Sequence, residues 1–363
     1  MISDRIKLAR KKAGMSLRDL AAALDGRVSA QAIGKYERGE MTPSSGVLIA
    51  LGKALDVSLS YLMDSQGIVL SGVEFRAKAK TSGREQAQVE AAVLEWVERY
   101  LQLETILELD SAEWKAPCPP QKLEKPDAAE DLAKCVRKEW ILGEDPIPNV
   151  TELLEEKGLK VMIEDLPANV SGLTCLVARE GYAEPVPVIV VNRAYPVERR
   201  RLTLVHELGH RLIDETSPLS PKDEERASNR FAAAFLMPAD HVRREVGLRR
   251  HSFGYKEVIE LKRLYRVSAA AFVYRLKDLE IISEQYLGYV FQSVGRTWRS
   301  QEPEGLESNN LKEQPYRLER LCYRALSEDL ISTAKAAELL RKPVNEIEAD
   351  LKGPSRDVQD YRQ

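Results

Sequence analysis

Residues 203–214 read TLVHELGHRLID, and this run decides how the middle of the 363-residue chain is understood. Two of its four histidines, His206 and His210, stand four positions apart around Glu207. On a helix, positions i and i+4 share a face, so both imidazoles can reach one ion while Glu207 stands beside an open coordination position. Zinc held by three protein groups lowers the pKa of its water towards neutrality, and an adjacent carboxylate can take that water's proton as it attacks a peptide carbonyl. The spacing predicts a helix, a Zn2+ ion and hydrolysis with Glu207 as general base. The competing reading is a helix carrying two incidental histidines.

An open zinc site needs a third protein ligand, expected from a neighbouring element. Residues 222–238, KDEERASNRFAAAFLMP, read as a helix in which Phe231, Phe235 and Leu236 recur at helical spacing and Pro238 closes the run. Its acidic start holds the candidates. Glu225 shares a stripe with Asn229, Ala232 and Leu236, so burying the last two turns the Glu225 carboxylate inwards. Glu224 shares another stripe with Phe231 and Phe235, and periodicity alone does not choose between them. Acids in a first helical turn are also favoured by the helix dipole, which needs no metal.

HELGH followed by ERASNRFAAAFLMP resembles the ImmA/IrrE family of metallopeptidases, whose second motif usually runs E-x-E-A-N-x-F-A-x-x-L-M-P. With Asn229 and Phe231 matched to that pattern, the resemblance implies Glu225 as third zinc ligand beside His206 and His210, and Glu207 as general base. Ala227 stands where the family often has Glu, and Ser228 where it has Ala; neither is a ligand position. The resemblance spans roughly residues 128–290 and implies a zincin-like domain with a small sheet.

The stretches GLKVMIEDL (158–166), SGLTCLVA (171–178) and PVPVIVVN (185–192) are rich in Val, Ile and Leu and bounded by Gly or Pro, as strands ahead of the HELGH helix should be. A helix near residues 128–142 and a second one ending at Lys157 precede them. PVIVVN (187–192) is the candidate edge strand for pairing with an extended peptide beside the zinc, although its apolar run fits a buried core strand equally well. His241, His251 and Tyr255 are the polar candidates for a donor to the developing oxyanion. His241 or His251 is also an alternative to Glu225 as ligand.

Residues 6–62 contain SLRDLAAAL (16–24), a Gly-Arg turn, VSAQAIGKYERG (28–39) and most of TPSSGVLIALGKALDVSLSYLMD (42–64), short apolar-periodic helices separated by turn and cap residues. This unit resembles the five-helix Xre/Cro type of helix-turn-helix. The resemblance implies that Ser29 caps the recognition helix and that Ala30, Gln31, Gly34 and Lys35 face the major groove of double-stranded DNA. Gln31 suits adenine edges, Lys35 guanine or phosphate, and Ala30 a thymine methyl. Leu17 occupies the place where the family often has a phosphate-binding Gln, which shifts weight to Arg18, Arg27, Lys35 and Arg38. A helical interaction module without DNA contacts is the competing reading.

Residues 1–65 carry 10 Lys plus Arg against 7 Asp plus Glu, and the remainder 44 against 50, so the basic end coincides with the expected DNA end. Length, 44% hydrophobic and 31% charged residues indicate a multidomain globular protein. No targeting segment or bilayer-length apolar run is visible, so no membrane partner is expected. Cys118, Cys135, Cys175 and Cys322 are scattered without C-x-x-C spacing, which suggests neither a disulfide framework nor a zinc knuckle and fits a reducing cytoplasm.

The expected organisation is α+β and mostly helical: a helix-turn-helix domain over 1–65, a connector over 66–116, a Pro-rich linker over 117–127, the peptidase-like domain over 128–290, and a helical C-terminal segment over 291–363. In the connector, GVEFRAKAK (72–80) alternates at strand period near its basic end. Val89, Val93, Trp96, Tyr100, Leu103 and Leu107 then form a heptad stripe, read either as a homodimer seam or as packing on the chain's own domains. Residues 299–315 read as a flexible polar loop. ISTAKAAELLRKPVNEIEADL (331–351) reads as two helices parted at Pro343 and resembles the degenerate helix-turn-helix that closes long ImmA/IrrE proteins; its acidic second helix argues for packing rather than DNA contact.

A DNA reader joined to a peptidase implies transcription controlled by proteolysis in a stress, mobile-element or toxin-antitoxin-like response, with an Xre-like repressor or the chain itself as substrate. The alternative is a regulator whose metal-binding domain senses a ligand or partner without turnover.

Overall fold

A computed structural model describes residues 2–57, 59–63, 83–109, 114–179, 184–298, 300–306 and 313–352, and residues 70–75 through their backbone. Five short helices come first: α1 (Ile2–Lys12), α2 (Leu17–Ala23), α3 (Ala30–Glu37), α4 (Ser45–Leu55) and α5 (Leu59–Met63). They bury Ile6, Leu20, Ile33, Leu51 and Leu62 in a core of their own. Strand β1 (Leu70–Phe75) and the long helix α6 (Gly83–Ile106) follow. The basic positions Arg76, Lys78 and Lys80 lie outside the described residues.

The heptad stripe of α6 is covered by the chain itself. Val89, Val93, Val97 and Leu101 pack on one face of a sheet, against Leu173, Cys175, Val177, Val188 and Val190. Tyr100, Leu103 and Leu107 pack against the helices α15 (Arg317–Ser327), α16 (Thr333–Leu340) and α17 (Val344–Lys352). A 3.5-residue apolar period says that a helix is covered along a stripe, not by what. The dimer-seam reading of these residues is therefore corrected. Charged pairs close the remaining side: Arg5 of α1 grips the buried Glu98, and Lys12 reaches the buried Glu95 at 2.7 Å. Arg341, just after α16, pairs with the same Glu95.

The sheet has the order β1-β3-β4-β2 and comprises, with β1, the strands β2 (Lys160–Glu164), β3 (Gly172–Arg179) and β4 (Val186–Asn192). β3 is antiparallel to both β1 and β4, while β2 and β4 are parallel. Two helices precede it, α7 (Ala129–Glu139) and α8 (Val150–Glu156). The helix α9 (Val197–Leu212) covers the face opposite α6, where Val161, Ile189 and Val191 meet Leu204, Val205 and Leu208. With both faces buried, β4 is apolar at successive positions, which explains its continuous Val/Ile run. β4 lies between β3 and β2, so the edge-strand reading of PVIVVN is corrected.

Beyond α9 come α10 (Pro221–Leu236), α11 (Ala239–Val246), α12 (Tyr255–Tyr265), α13 (Ala269–Asp278) and α14 (Glu284–Gln292). Two stretches expected to be loose are anchored in their described parts; residues 299 and 307–312 of the second lie outside the described residues. In the Pro-rich stretch, Leu123 and Cys118 are buried in the main core, and Gln121 bridges to Ile213 just past α9. This docking brings Cys118 to α7, where a disulfide joins it to Cys135 across a Cα separation of 6.7 Å. The scattered spacing, which suggested no disulfide framework, is blind to such folding back and did not disclose this bridge; Cys175 and Cys322 are free and buried. Within residues 299–315, Glu302 accepts hydrogen bonds from Lys262 and from Ala269 N, and the buried Glu313 accepts from Val150 N and Thr151 N while pairing with Arg201. No helix among the described residues is long and apolar enough to cross a membrane.

Because Leu103 is buried against the chain's own C-terminal helices, Leu103→Ala is expected to lower unfolding stability by about 2–5 kcal/mol. Denaturant melts check the loss. Light scattering should give the same mass as the parent protein, since no seam between chains is touched.

Candidate metal centre and nucleic-acid interface

Helices α9 and α10 approach closely because Gly209 has no side chain: a Cβ there would stand 3.0 Å from the Phe231 ring and 3.4 Å from Ser228 Cα. That contact brings the acidic first turns of α10 over the histidines of α9. His206 Nε2 and His210 Nε2 are 3.0 Å apart. The Glu225 carboxylate stands 3.4 Å from the first and 3.5 Å from the second. Donor atoms of the three residues all lie within 4.8 Å of one another, so the trio could hold a metal ion.

The outer ring nitrogens fix which way the inner ones face. His206 Nδ1 lies 3.1 Å from Asn229 Oδ1, which can only accept, so the ring proton belongs on Nδ1. His210 Nδ1 lies 3.3 Å from Ser228 Oγ and 3.4 Å from a Glu224 carboxylate oxygen, which again draws the proton outward. Two Nε2 lone pairs then face each other at 3.0 Å with a carboxylate alongside. Such an arrangement is repulsive unless a cation lies between them, and that is the chemistry of a metal site with its orienting partners in place. The residues present fit a zinc ion. The Glu225 side chain is 57% exposed, so the cluster opens towards solvent and leaves room for a water or substrate oxygen.

Glu207 is placed differently from Glu225. It is buried, and its Oε2 has no hydrogen-bond partner among the described residues. Burial pushes its carboxyl up to about 7, with His206 opposing the shift and Glu225 adding to it. Glu225, half-exposed beside the His206 and His210 rings, is shifted the other way, well below the usual carboxylate range. Two carboxylates on adjacent helices thus differ in their readiness to carry a proton, the condition for separate roles.

The sequence left Glu224 and Glu225 as equals, because the stripes of both are buried, through Phe231 and Phe235 for one and Ala232 and Leu236 for the other. The structure brings Glu225 to the facing nitrogens and Glu224 to the rear of His210. Ser228 and Asn229 were missed as partners of the histidines. Their signal was available: both are polar and stand three and four positions after Glu225, on its helix face.

His241, His251 and Tyr255 are not gathered into the site. No hydrogen bond, ion pair or ring contact joins any of them to His206, Glu207, His210 or Glu225 among the described residues. His241 is tied to Tyr265 OH at 2.8 Å, His251 lines a separate cavity of about 430 Å³ with Arg249 and Lys277, and Tyr255 is exposed at the start of α12.

At the other end of the chain, α2 begins with a capping box between Ser16 and Asp19, and α3 is capped by Ser29, which accepts from Ala32 N at 3.2 Å. Gln31, Lys35 and Arg38 are exposed on or just beyond α3, with Ala30 half-buried, and Arg18 and Arg27 are exposed nearby. Gly34 differs from expectation: it is buried, with the Arg38 guanidinium 3.2 Å and Leu17 3.6 Å from where a Cβ would be. It acts as a seat for those side chains, and Leu17 is a packing residue. Arg38 makes a two-pronged pair with the exposed Glu40. Arg5, Arg10 and Lys12 of α1 are committed to Glu98, Glu37 and Glu95, so the basic excess of this end is not all available to DNA.

Residues 154–277 match the family model described as the IrrE N-terminal-like domain, a peptidase family, and residues 6–62 match that of a helix-turn-helix. The chain thus carries a helix-turn-helix DNA-binding domain followed by an IrrE-like peptidase-family domain. Comparison with curated proteins and with solved structures yields no match.

Elemental analysis of the purified protein is expected to find one zinc per chain, lost in His206→Ala and in His210→Ala. Asn229→Ala, which removes only the partner of a histidine, should weaken zinc affinity by about 10–100-fold in a chelator competition.

Proposed function

We propose that this protein is a DNA-binding transcriptional regulator whose second domain is a zinc-dependent endopeptidase. One observation carries the reading: the ligand atoms of His206, His210 and Glu225 lie within 4.8 Å of one another, and Glu207, next to His206 on the same helix, is buried with an Oε2 that has no hydrogen-bond partner among the described residues. Structural zinc sites are closed by four protein ligands. Three converging donors and a solvent-facing side favour an open, catalytic site.

In this reading His206, His210 and Glu225 hold the ion, which when bound supplies Lewis-acid polarisation of a peptide carbonyl and of water. Glu207 takes the proton of the attacking water and returns it to the leaving amine, a task suited to a carboxyl whose pKa is near neutrality. Asn229, Ser228 and Glu224 keep the imidazole protons on Nδ1 throughout. The substrate is an Xre-like repressor or the chain itself.

DNA is read through α3, with Gln31 and Lys35 towards base edges, Ala30 beside them, and Arg18, Arg27 and Arg38 towards phosphates. Gln31→Ala should relax preference at one operator position by about 1–3 kcal/mol. Arg38→Ala should weaken binding evenly across sequences and reduce the salt slope by about one. Mobility shifts on the protein's own upstream region, run over a salt series, check both.

Turnover is tested by incubating the zinc-loaded protein with neighbouring Xre-like repressors and following cleavage by mass spectrometry. Glu207→Gln should retain zinc and lose cleavage by at least about 100-fold, since the amide keeps the shape and removes the base. Unchanged cleavage by a zinc-loaded Glu207→Gln protein rejects the assignment. A parent protein that cuts no repressor and not itself points to sensing without turnover.

A further inference from the structure

We infer that the outer edge of β3 is the site at which an extended peptide pairs beside the metal centre, and that β1 occupies this edge in cis. The connector strand must leave before another peptide can be bound there. The inference rests on the peptidase reading of the site and adds where the peptide lies and what holds its place.

β3 is the strand that runs along the Glu207 side of α9. A Cβ on Gly172 would stand 2.4 Å from Thr203 Cγ2, and Arg211 Nη1 donates to Thr174 Oγ1 at 3.2 Å. Thr203, Glu207 and Arg211 are spaced four apart and share one stripe of the helix. Glu207 therefore lies between two contacts with β3, level with the strand's first residues. No other edge is comparably placed, because β4 has neighbours on both sides and the free edge of β2 is two strands away from β3.

A peptide binding by strand addition needs an unpaired row of backbone groups. One row of β3 is spent on β4. The other is paired antiparallel with β1, from Leu70 opposite Arg179 to Phe75 opposite Cys175. The described pairing thus ends one position short of Thr174, the residue that Arg211 touches. β1 makes the same main-chain contacts that an extended substrate would make, and it approaches the Glu207 end of the strand.

β1 is also the more easily lost partner. It is six residues long, its register slips between Leu70 and Gly72, and β3 is its one partner strand in the sheet, with α6 as its other described neighbour. It belongs to the segment between the helix-turn-helix domain and α6, so access to the β3 edge depends on the chain between the DNA-binding end and the peptidase-like end. The class of ligand is an unfolded or extended polypeptide segment, recognised through its backbone and running antiparallel to β3.

The test uses the full chain with Glu207→Gln, so that nothing is consumed, and a fluorescein-labelled peptide of sequence LSGVEFRAKA, copied from residues 70–79. Proline at position 73 removes a backbone N–H and bends the strand, which an edge strand can lose without unfolding the sheet. Added Val73→Pro should strip protection from β3 amides not bonded to β4, read by hydrogen exchange. It should also tighten peptide binding roughly 10-fold or more, as the competent state goes from rare to dominant. Gly72→Pro serves as the second variant, and circular dichroism identifies either one that fails to fold. If β3 protection is unchanged in both folded variants, or is lost without any gain in peptide affinity, the assignment is overturned. Tighter peptide binding by a protein that, with Glu207 restored, cuts nothing keeps the edge assignment and rejects the peptidase reading.

Discussion

One helix has to satisfy three neighbours, and the arrangement of the chain depends on how α6 does so. Its valines cover the sheet, its Tyr100, Leu103 and Leu107 cover the C-terminal helices, and its Glu95 and Glu98 receive cations from α1. The two carboxylates are buried, and Arg5, Lys12 and Arg341 meet them. Removing one partner by substitution typically costs about 3–5 kcal/mol because it leaves a buried charge unpaired, so these pairs specify where α1 sits on α6. Lys160 pairs with Glu104 at 2.6 Å further along the same helix and ties in β2.

The metal centre depends on a smaller constraint of the same kind. Glycine at 209 sets the distance between α9 and α10, and that distance decides whether a carboxylate on one helix can reach ring nitrogens on the other. With α10 at this spacing, successive acids serve successive purposes: Glu224 behind His210, Glu225 in front of both histidines. Ser228, at a position where the family motif has Ala, adds a hydroxyl to the rear of His210 and sits fully buried. The departure from the motif strengthens the support of a ligand instead of weakening the site.

What the sequence disclosed follows from which interactions are local. The i, i+4 histidines and the intervening Glu207 need one helical turn, so a short string carries them. The choice of Glu225 over Glu224 needed the packing direction of α10, and both stripes were apolar enough to be inward; the family resemblance, not periodicity, pointed to Glu225. The apolar stripe of α6 was legible as a stripe, while the sheet and helices that cover it come from residues 60 to more than 200 positions away and leave no mark in its spacing. β4 shows the same limit, since a run of valines reports burial on both faces and says nothing of strand order. Prolines between 117 and 126 were legible as a linker signal, but not that Cys118 and Leu123 would be buried in the main core.

These long-range contacts determine how the two ends of the protein can influence each other. The described contacts of α1 with α6 fix the helix-turn-helix domain to a helix whose opposite side is the roof of the sheet. β3, the strand flanking Glu207, presents Leu173, Cys175 and Val177 to that roof. A displacement of the DNA-binding domain that carried α6 with it would expose these side chains to water, at about 25 cal/mol for each Å² of apolar surface uncovered. A displacement that left α6 in place would strip Glu95 and Glu98 of α1's cations. Both routes are costly, so large swings of the first domain are opposed, while loss of β1 breaks one row of main-chain pairing at the edge of the sheet. Of the connections between the domains, the pairing of β1 with β3 is the one that lies at a sheet edge, with a strand on one side only.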